Sequence, residues 1–302
     1  MNYFYRNPKH FDILFMSAGI GMVGFGVYQI VVPYDFIQSL YSKDTLTIHG
    51  FRASGTLGFA YNYGAFLNVF LIYLLSKMFD KINIVHVILI IFSTLLILAT
   101  QSRTSYVVAI LSLIYFLTMS LLIVRKSYNA PIRKSIVVLF FIFITVIIFI
   151  THFDFDKILE TLQYLSGKGT DSSLRSRASQ IEYGIDAASE RLFLLGYGAT
   201  KEAPTIENLY IDYLHDYGIF GLIIYVFSII FIIVHSFKSI IRYQTTEFIH
   251  FFITVNFLNI MVLMYGVATI LTDAYRFSYI YYYLMGAYFG IEYYLRRRNR
   301  AI

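Results

Sequence analysis

The sequence predicts an all-α integral membrane protein of about eight transmembrane helices, with one large helical extracytoplasmic loop. Three observations carry that expectation. Of 302 residues, 58% are hydrophobic and only 14% charged, and the mean hydropathy is +0.65, beyond what a water-soluble domain tolerates. The apolar residues come in unbroken blocks of helical length rather than in the short alternation of an outer-membrane barrel. All of Pro8, Pro33, Pro131 and Pro204 fall outside those blocks, as intact hydrogen-bond ladders require.

A hydrocarbon core needs roughly 20 apolar residues per crossing. Eight blocks meet that length: Phe11 to Val32, Leu57 to Leu75, Ile82 to Thr100, Tyr106 to Val124, Ile136 to Phe153, Gly218 to Val234, Phe248 to Leu271 and Phe277 to Leu295. The first has basic residues before it and no small-residue cleavage site after it, which reads as a retained span. Lys and Arg near span ends are held in the cytoplasm. The run Arg296, Arg297, Arg298, Arg300 and the loop with Arg125, Lys126, Arg133 and Lys134 therefore belong inside. Eight spans place both termini on that side, and the loop over residues 154–217 on the other.

With Cys 0 the chain has no disulfide, thiolate metal site or cysteine nucleophile, and with Trp 0 its interfacial belt falls to the 28 tyrosines. The formal charge of +6 is explained by the cytoplasmic anchors and suggests no nucleic acid.

The basic residues expected outside carry the chemical interest. Arg52, Arg103 and Arg276 sit at or near the outer ends of spans two, three and eight, in loops too short to form a domain, where a cation beside lipid needs a partner. Together they suggest an anion site; singly, each reads equally well as snorkelling to lipid phosphates or pairing with an acid such as Asp273. Asp154 and Asp156 have a spacing that suits a divalent cation, yet two acids at a span boundary are ordinarily a solvated edge, and no metal site is assigned.

Within the loop, Asp171 to Leu192 has helical periodicity, with an apolar stripe at Leu174, Ala178, Ile181, Ile185, Ala188 and Leu192. Arg177 and Arg191 flank it on one side; Glu182, Asp186, Glu190 and Arg175 lie on the other. A turn at Gly196-Tyr197-Gly198 follows. Next comes Glu207 to Gly218, where Glu207, Asp212 or His215 supplies a candidate general base and Asn208 is placed to orient a hydroxyl. The plainer alternative is an interfacial helix start decorated with polar groups, and for His215 alone that alternative is the stronger.

Four landmarks occur in fixed order: Arg52-Ala53-Ser54-Gly55-Thr56 with Asn62; Gln101-Ser102-Arg103-Thr104; Gly196-Tyr197-Gly198; and Glu207-Asn208 through Gly218-Ile219-Phe220-Gly221-Leu222. In combination they resemble the O-antigen ligase and polysaccharide polymerase family of multi-span membrane glycosyltransferases. The resemblance implies transfer of a glycan from a polyprenyl diphosphate carrier on the outer face of a bacterial cell membrane, with no nucleotide sugar and generally no metal or other cofactor. It gives Arg52, Arg103 and Arg177 contacts with the diphosphate or glycan, with Arg175, Arg191, Arg276 and Asn62 as further candidates, and places Glu207 and Asn208 at the acceptor. Ligases carry His immediately before that Asn. Glu207 stands there in this chain, which is more similar to polymerases. Relatives commonly carry several more spans before the Arg52 region, so the resemblance implies a short variant or one lacking its N-terminal part.

The expected function is polymerisation of a lipid-linked repeat unit for capsule, exopolysaccharide or O-antigen, with a polyprenyl-diphosphate-linked oligosaccharide and membrane lipids as partners and a flippase and chain-length regulator as associates. A glycan ligase, a lipid-linked oligosaccharide flippase or other transporter, and a non-catalytic partner of an assembly complex are the alternatives. Transport wants ionisable groups near the midplane. The polar insertions within the blocks are Asn62, Asn68, His86, Asn256, Asn259 and Glu292, with no charged chain linking the two faces.

Overall fold

The computed structural model describes residues 8–31, 53, 55–57, 59–80, 83–124, 172–198, 206–271 and 275–300. Among these the regular structure is all helical: α1 (Pro8–Val31), α2 (Ala60–Lys77), α3 (Ile84–Ala99), α4 (Arg103–Val124), α5 (Ser172–Glu190), α6 (Leu209–Arg242), α7 (Ile249–Gly266) and α8 (Tyr275–Arg300), plus a 3-10 turn at Gly55–Leu57. Seven of the helices fall on expected spans, and α5 on the helix expected in the loop. The fifth expected span, 136–153, lies outside the described residues, as do Arg52, Asp154 and Asp156. Pro8 opens α1, where its missing N–H costs no ladder bond.

Among the described residues, four helices are long and apolar enough to cross a membrane: α1 over His10–Val31, α4 over Arg103–Leu122, α6 and α7. Helix α3 is apolar but has 16 residues. Helix α2 has 18 residues, about 27 Å at 1.5 Å per residue, and it is the more polar for a physical reason. Every residue from Asn62 to Ser76 is buried, so protein rather than lipid surrounds the helix, and Asn62, Asn68, Tyr63 and Tyr73 are tolerated there. The outer helices show the converse pattern. Phe220, Ile224, Phe227 and Phe231 of α6 and Val107, Ile110 and Ile114 of α4 are exposed apolar side chains, as a lipid-facing surface requires.

Helix ends meet in two layers. At one end, called upper here, Gln29 near the finish of α1 accepts from the Gly55 amide at 2.9 Å, and Ala53 N–H donates to Ala99 O at the finish of α3 at 3.1 Å. Arg276 in the first turn of α8 donates to Thr56 O, and Asn208 before α6 donates to Val267 O after α7 at 2.9 Å. At the lower end Lys77 pairs with Asp12, His250 with Asp80 at 2.8 Å, and Arg296 with Glu292 at 2.5 Å. The beginning of α1 and the finish of α8 thus share the lower layer.

Between the layers, buried amides bind helix to helix. Asn68 donates to Gly64 O and, at 3.2 Å, to Ser105 O, while Tyr265 donates to Ser105 Oγ at 2.9 Å. A Cβ on Gly64 would sit 2.1 Å from Ser105 Oγ, the close approach that small residues permit between membrane helices. Asn256 takes the Tyr115 hydroxyl at 2.8 Å and gives an amide hydrogen to Ser236 Oγ at 2.8 Å, joining α4, α6 and α7. Asn259 accepts from Tyr281 of α8 at 2.9 Å. These polar insertions have a packing role.

Candidate active site

The upper layer is built around the docking of α5 on the start of α6. The contact line runs through Arg177, Gln180, Gly184 and Ala188. This corrects the expected stripe, since Ala178, Ile185 and Leu192 are exposed. The cause is Gly184, where a Cβ would come within 2.3 Å of Ile211 Cγ2; the bare backbone lets α5 lie closest to α6 along that line. Gln180 Oε1 then accepts from Glu207 N at 3.1 Å, and Arg177 Nε donates to Glu207 Oε2 at 3.0 Å. α5 ends at Glu190, and Leu192 and Phe193 follow with φ of 54° and 58°, reversing the chain.

The two glycine landmarks of the sequence meet here. α6 is broken at Gly218, where φ is 69° and ψ −174°. The break leaves carbonyls without helical partners, and the Gly196-Tyr197-Gly198 turn takes them: Tyr197 N–H donates to His215 O at 2.8 Å and Gly198 N–H to Asp216 O at 2.9 Å, while Ile219 N–H donates to Phe193 O at 2.8 Å. A Cβ on Gly218 would lie 2.5 Å from Leu194 O, and one on Gly196 2.0 Å from Asp216 O. Both positions therefore need glycine, for close approach and, at Gly218, for its positive φ as well. Tyr197 stacks on His215 with centroids 5.3 Å apart and donates to Glu190 Oε2 at 2.5 Å. That hydrogen bond holds its phenol above the ordinary value, against the opposing pull of Arg191.

The candidate residues separate by what they touch. Glu207 is joined to Arg177, and this pair is the charged centre of the site. Asn208 is the N-cap of α6: its Oδ1 accepts from Tyr210 N and Ile211 N at 3.0 and 3.1 Å, so the side chain fixes the helix start beside Glu207. His215 is buried, with Nδ1 2.7 Å from Asp216 Oδ1, and belongs to the lock between turn and helix. Asp212 is half-buried one turn into α6, its N–H held by Asn208 O at 2.9 Å. Arg103 opens α4 and is half-buried. Arg276 is tied to Thr56 O. Arg191 donates to Gly196 O at 3.2 Å and lies over the Tyr197 ring, 4.0 Å from its centroid, so it braces the turn at the far end of α5 from Arg177. Arg175 is exposed. Asn62 is buried, and its Oδ1 has no partner among the described residues.

Two residues of the upper layer escape sequence reasoning. Tyr61 is half-buried in the first turn of α2 and stacks on Phe59, with ring centroids 5.3 Å apart. Tyr61 reads in the sequence as one more interfacial tyrosine. Thr269 reads as the interior of span seven, but α7 stops at Gly266. There a Cβ would meet Leu209 Cδ2 at 2.8 Å, so the chain leaves the helix against the start of α6.

Residues 88–226 match a family model described as O-antigen ligase, a little under half of the chain. The matched stretch contains Arg103, Arg177, Glu207, Asn208 and both glycine landmarks; Arg52, Asn62 and Arg276 lie outside it. No curated protein and no solved structure matches the chain.

Proposed function

We propose that the chain is a membrane glycosyltransferase that elongates a polysaccharide from polyprenyl-diphosphate-linked repeat units at the outer face of a bacterial cell membrane, with the upper layer outermost and both termini cytoplasmic. The observation that carries this reading is the Arg177–Glu207 pair, set between α5 and the capped start of α6 within the stretch that is similar to O-antigen ligases.

The pair suits an exchange of partners. Its side chains are 36% and 45% exposed, so the bond contributes only about 0–1 kcal/mol and an incoming diphosphate competes for the guanidinium on equal terms. Arg177 is engaged through Nε alone among the described residues, leaving the planar fork free to bind phosphate oxygens. Once Arg177 turns to the diphosphate, the Glu207 carboxylate is freed to accept a proton.

In the step itself, the acceptor hydroxyl oxygen attacks the anomeric carbon and the carbon–oxygen bond to the diphosphate breaks. The lipid diphosphate leaves with the bonding electrons, and the hydroxyl proton passes to Glu207. Charge growing on the leaving group is met by Arg177, with Arg103 and Arg276 as further donors. Arg52 belongs to the same proposed set.

Reconstitution into liposomes with a lipid-linked repeat unit tests the reading: elongation supports it, translocation without elongation supports a transporter, and neither outcome leaves only the non-catalytic partner. A ligase reading is favoured by the description of the matching family. It differs in the acceptor alone, and transfer to a lipid A-core acceptor in the same liposomes separates the two.

A further inference from the structure

Just after α5 the chain carries four apolar side chains in a row that face outward. Leu192, Leu194 and Leu195 are 78%, 49% and 71% exposed, and Phe193 between them is exposed as well. Leu192 and Phe193 also have φ of 54° and 58°, in the left-handed region that bulky residues avoid. A turn facing water would have glycine, asparagine or serine at such positions. Large apolar groups there mark a surface that meets something apolar.

The level of this strip is set by its backbone contacts with α6. Ile219 N–H donates to Phe193 O at 2.8 Å, and Leu194 O lies so close to Gly218 that a Cβ there would come within 2.5 Å of it. The strip is therefore fastened at the Gly218 break, where α6 changes character. Before the break come Asp212, His215 and Asp216; after it no Asp, Glu, Lys or Arg occurs until Lys238. From Gly218 to Lys238 the helix rises about 30 Å, the thickness of a hydrocarbon core, so with Lys238 at one boundary Gly218 falls at the other. Tyr217, Phe220, Ile223 and Ile224 are exposed from this level onward, and the strip stands at the rim of that lipid-facing surface. Arg191, directly before it, is exposed, a cation at the height of headgroup phosphates.

We infer that residues 192–195 insert into the lipid leaflet beside the upper layer, and that their partner is the upper acyl chains of bulk phospholipid. Main-chain hydrogen bonds hold the strip to α6, and its leucine side chains, removed from water, hold it to the membrane. The far end of α5 is thereby kept at a fixed depth, with Arg177 about 20 Å back along the same helix. The insertion requires only that α6 cross the membrane and is independent of the group that the protein transfers.

The chain has no tryptophan, so Leu192→Trp and Leu195→Trp each give the full-length protein a single indole in the strip. Phe227→Trp gives one about 14 Å beyond Gly218 along α6, for comparison. The proteins are reconstituted in vesicles of phosphatidylcholine and phosphatidylglycerol, in which the phosphatidylcholine carries bromine either near the glycerol end of its acyl chains or near their tips; acrylamide serves as the aqueous quencher. Both strip variants are expected to lose more emission to the shallow bromines than to the deep ones, and little to acrylamide. Phe227→Trp is expected to show the opposite order between the two lipids, which reports an assembled span in the same preparation. Strong quenching by acrylamide with none by bromolipid would put the strip in water. Shielding from all three quenchers would mean that protein covers it, either another part of this chain or a second copy. Each of these results, at either strip position, overturns the insertion.

Discussion

Glu207 and Arg177 are thirty residues apart in the chain, and neither is buried deeply enough for their bond to matter much to folding. Glu207→Gln keeps the size of the side chain and leaves the main-chain bond to Gln180 in place. We expect it to lower elongation by about 100-fold or more while shifting stability by less than about 1 kcal/mol, read as initial rates and as the unfolding midpoint in detergent. Arg103→Ala is expected to abolish elongation with membrane insertion intact, and Arg103→Lys to restore little, because a point charge does not replace a bidentate fork; full activity in Arg103→Lys, measured in the same liposomes, would count against phosphate recognition there. Both residues could be picked from the sequence as charges in segments expected to lie on the outer face. The Arg177–Glu207 pairing could not, since it depends on the line along which α5 docks, and Gly184 rather than any apolar residue sets that line.

Among the elements, α6 departs most from what hydropathy suggests. A polar segment and an apolar span, read separately, are one helix of 34 residues broken at Gly218. Gly218→Ala meets both a positive φ and the Leu194 carbonyl, so we expect a loss of about 1–3 kcal/mol and raised protease sensitivity around Leu192 to Leu195, scored by cleavage rate. Asn208→Ala removes the cap of the same helix and its bond to Val267 O, for an expected loss of about 1 kcal/mol, seen as a lower unfolding midpoint together with slower elongation. The end of α7 and the docking line of α5 differ from what the sequence suggests because of contacts with distant chain, at Gly266 and Gly184. Periodicity carries no information about what approaches a helix from outside.

For the molecule as a whole, the layered arrangement makes orientation directly testable. The chain is free of cysteine, so Ser189→Cys on α5 and Arg298→Cys at the finish of α8, both at exposed positions, provide one reporter per layer. An impermeant maleimide on intact cells is expected to label the first and to reach the second only after permeabilisation; the reverse pattern would turn the protein over. The helical class could be read from apolar length alone, and seven of the described helices fall on expected blocks, four of them long and apolar enough to cross a membrane. The role of the buried asparagines could not, since an amide in a span looks alike whether it lines a path or joins two neighbours, and only Tyr115, Ser236, Ser105 and Tyr281 opposite them decide it. The join between the Gly196-Tyr197-Gly198 turn and the broken helix has a final consequence. It is made by amide and carbonyl groups that every residue except proline can supply, so it places few demands on the side chains of Tyr183, Tyr213 or Tyr217 nearby. Lineages sharing this frame are free to exchange those rings as their polysaccharides diversify, and surface chemistry can evolve there while the geometry of the joint persists.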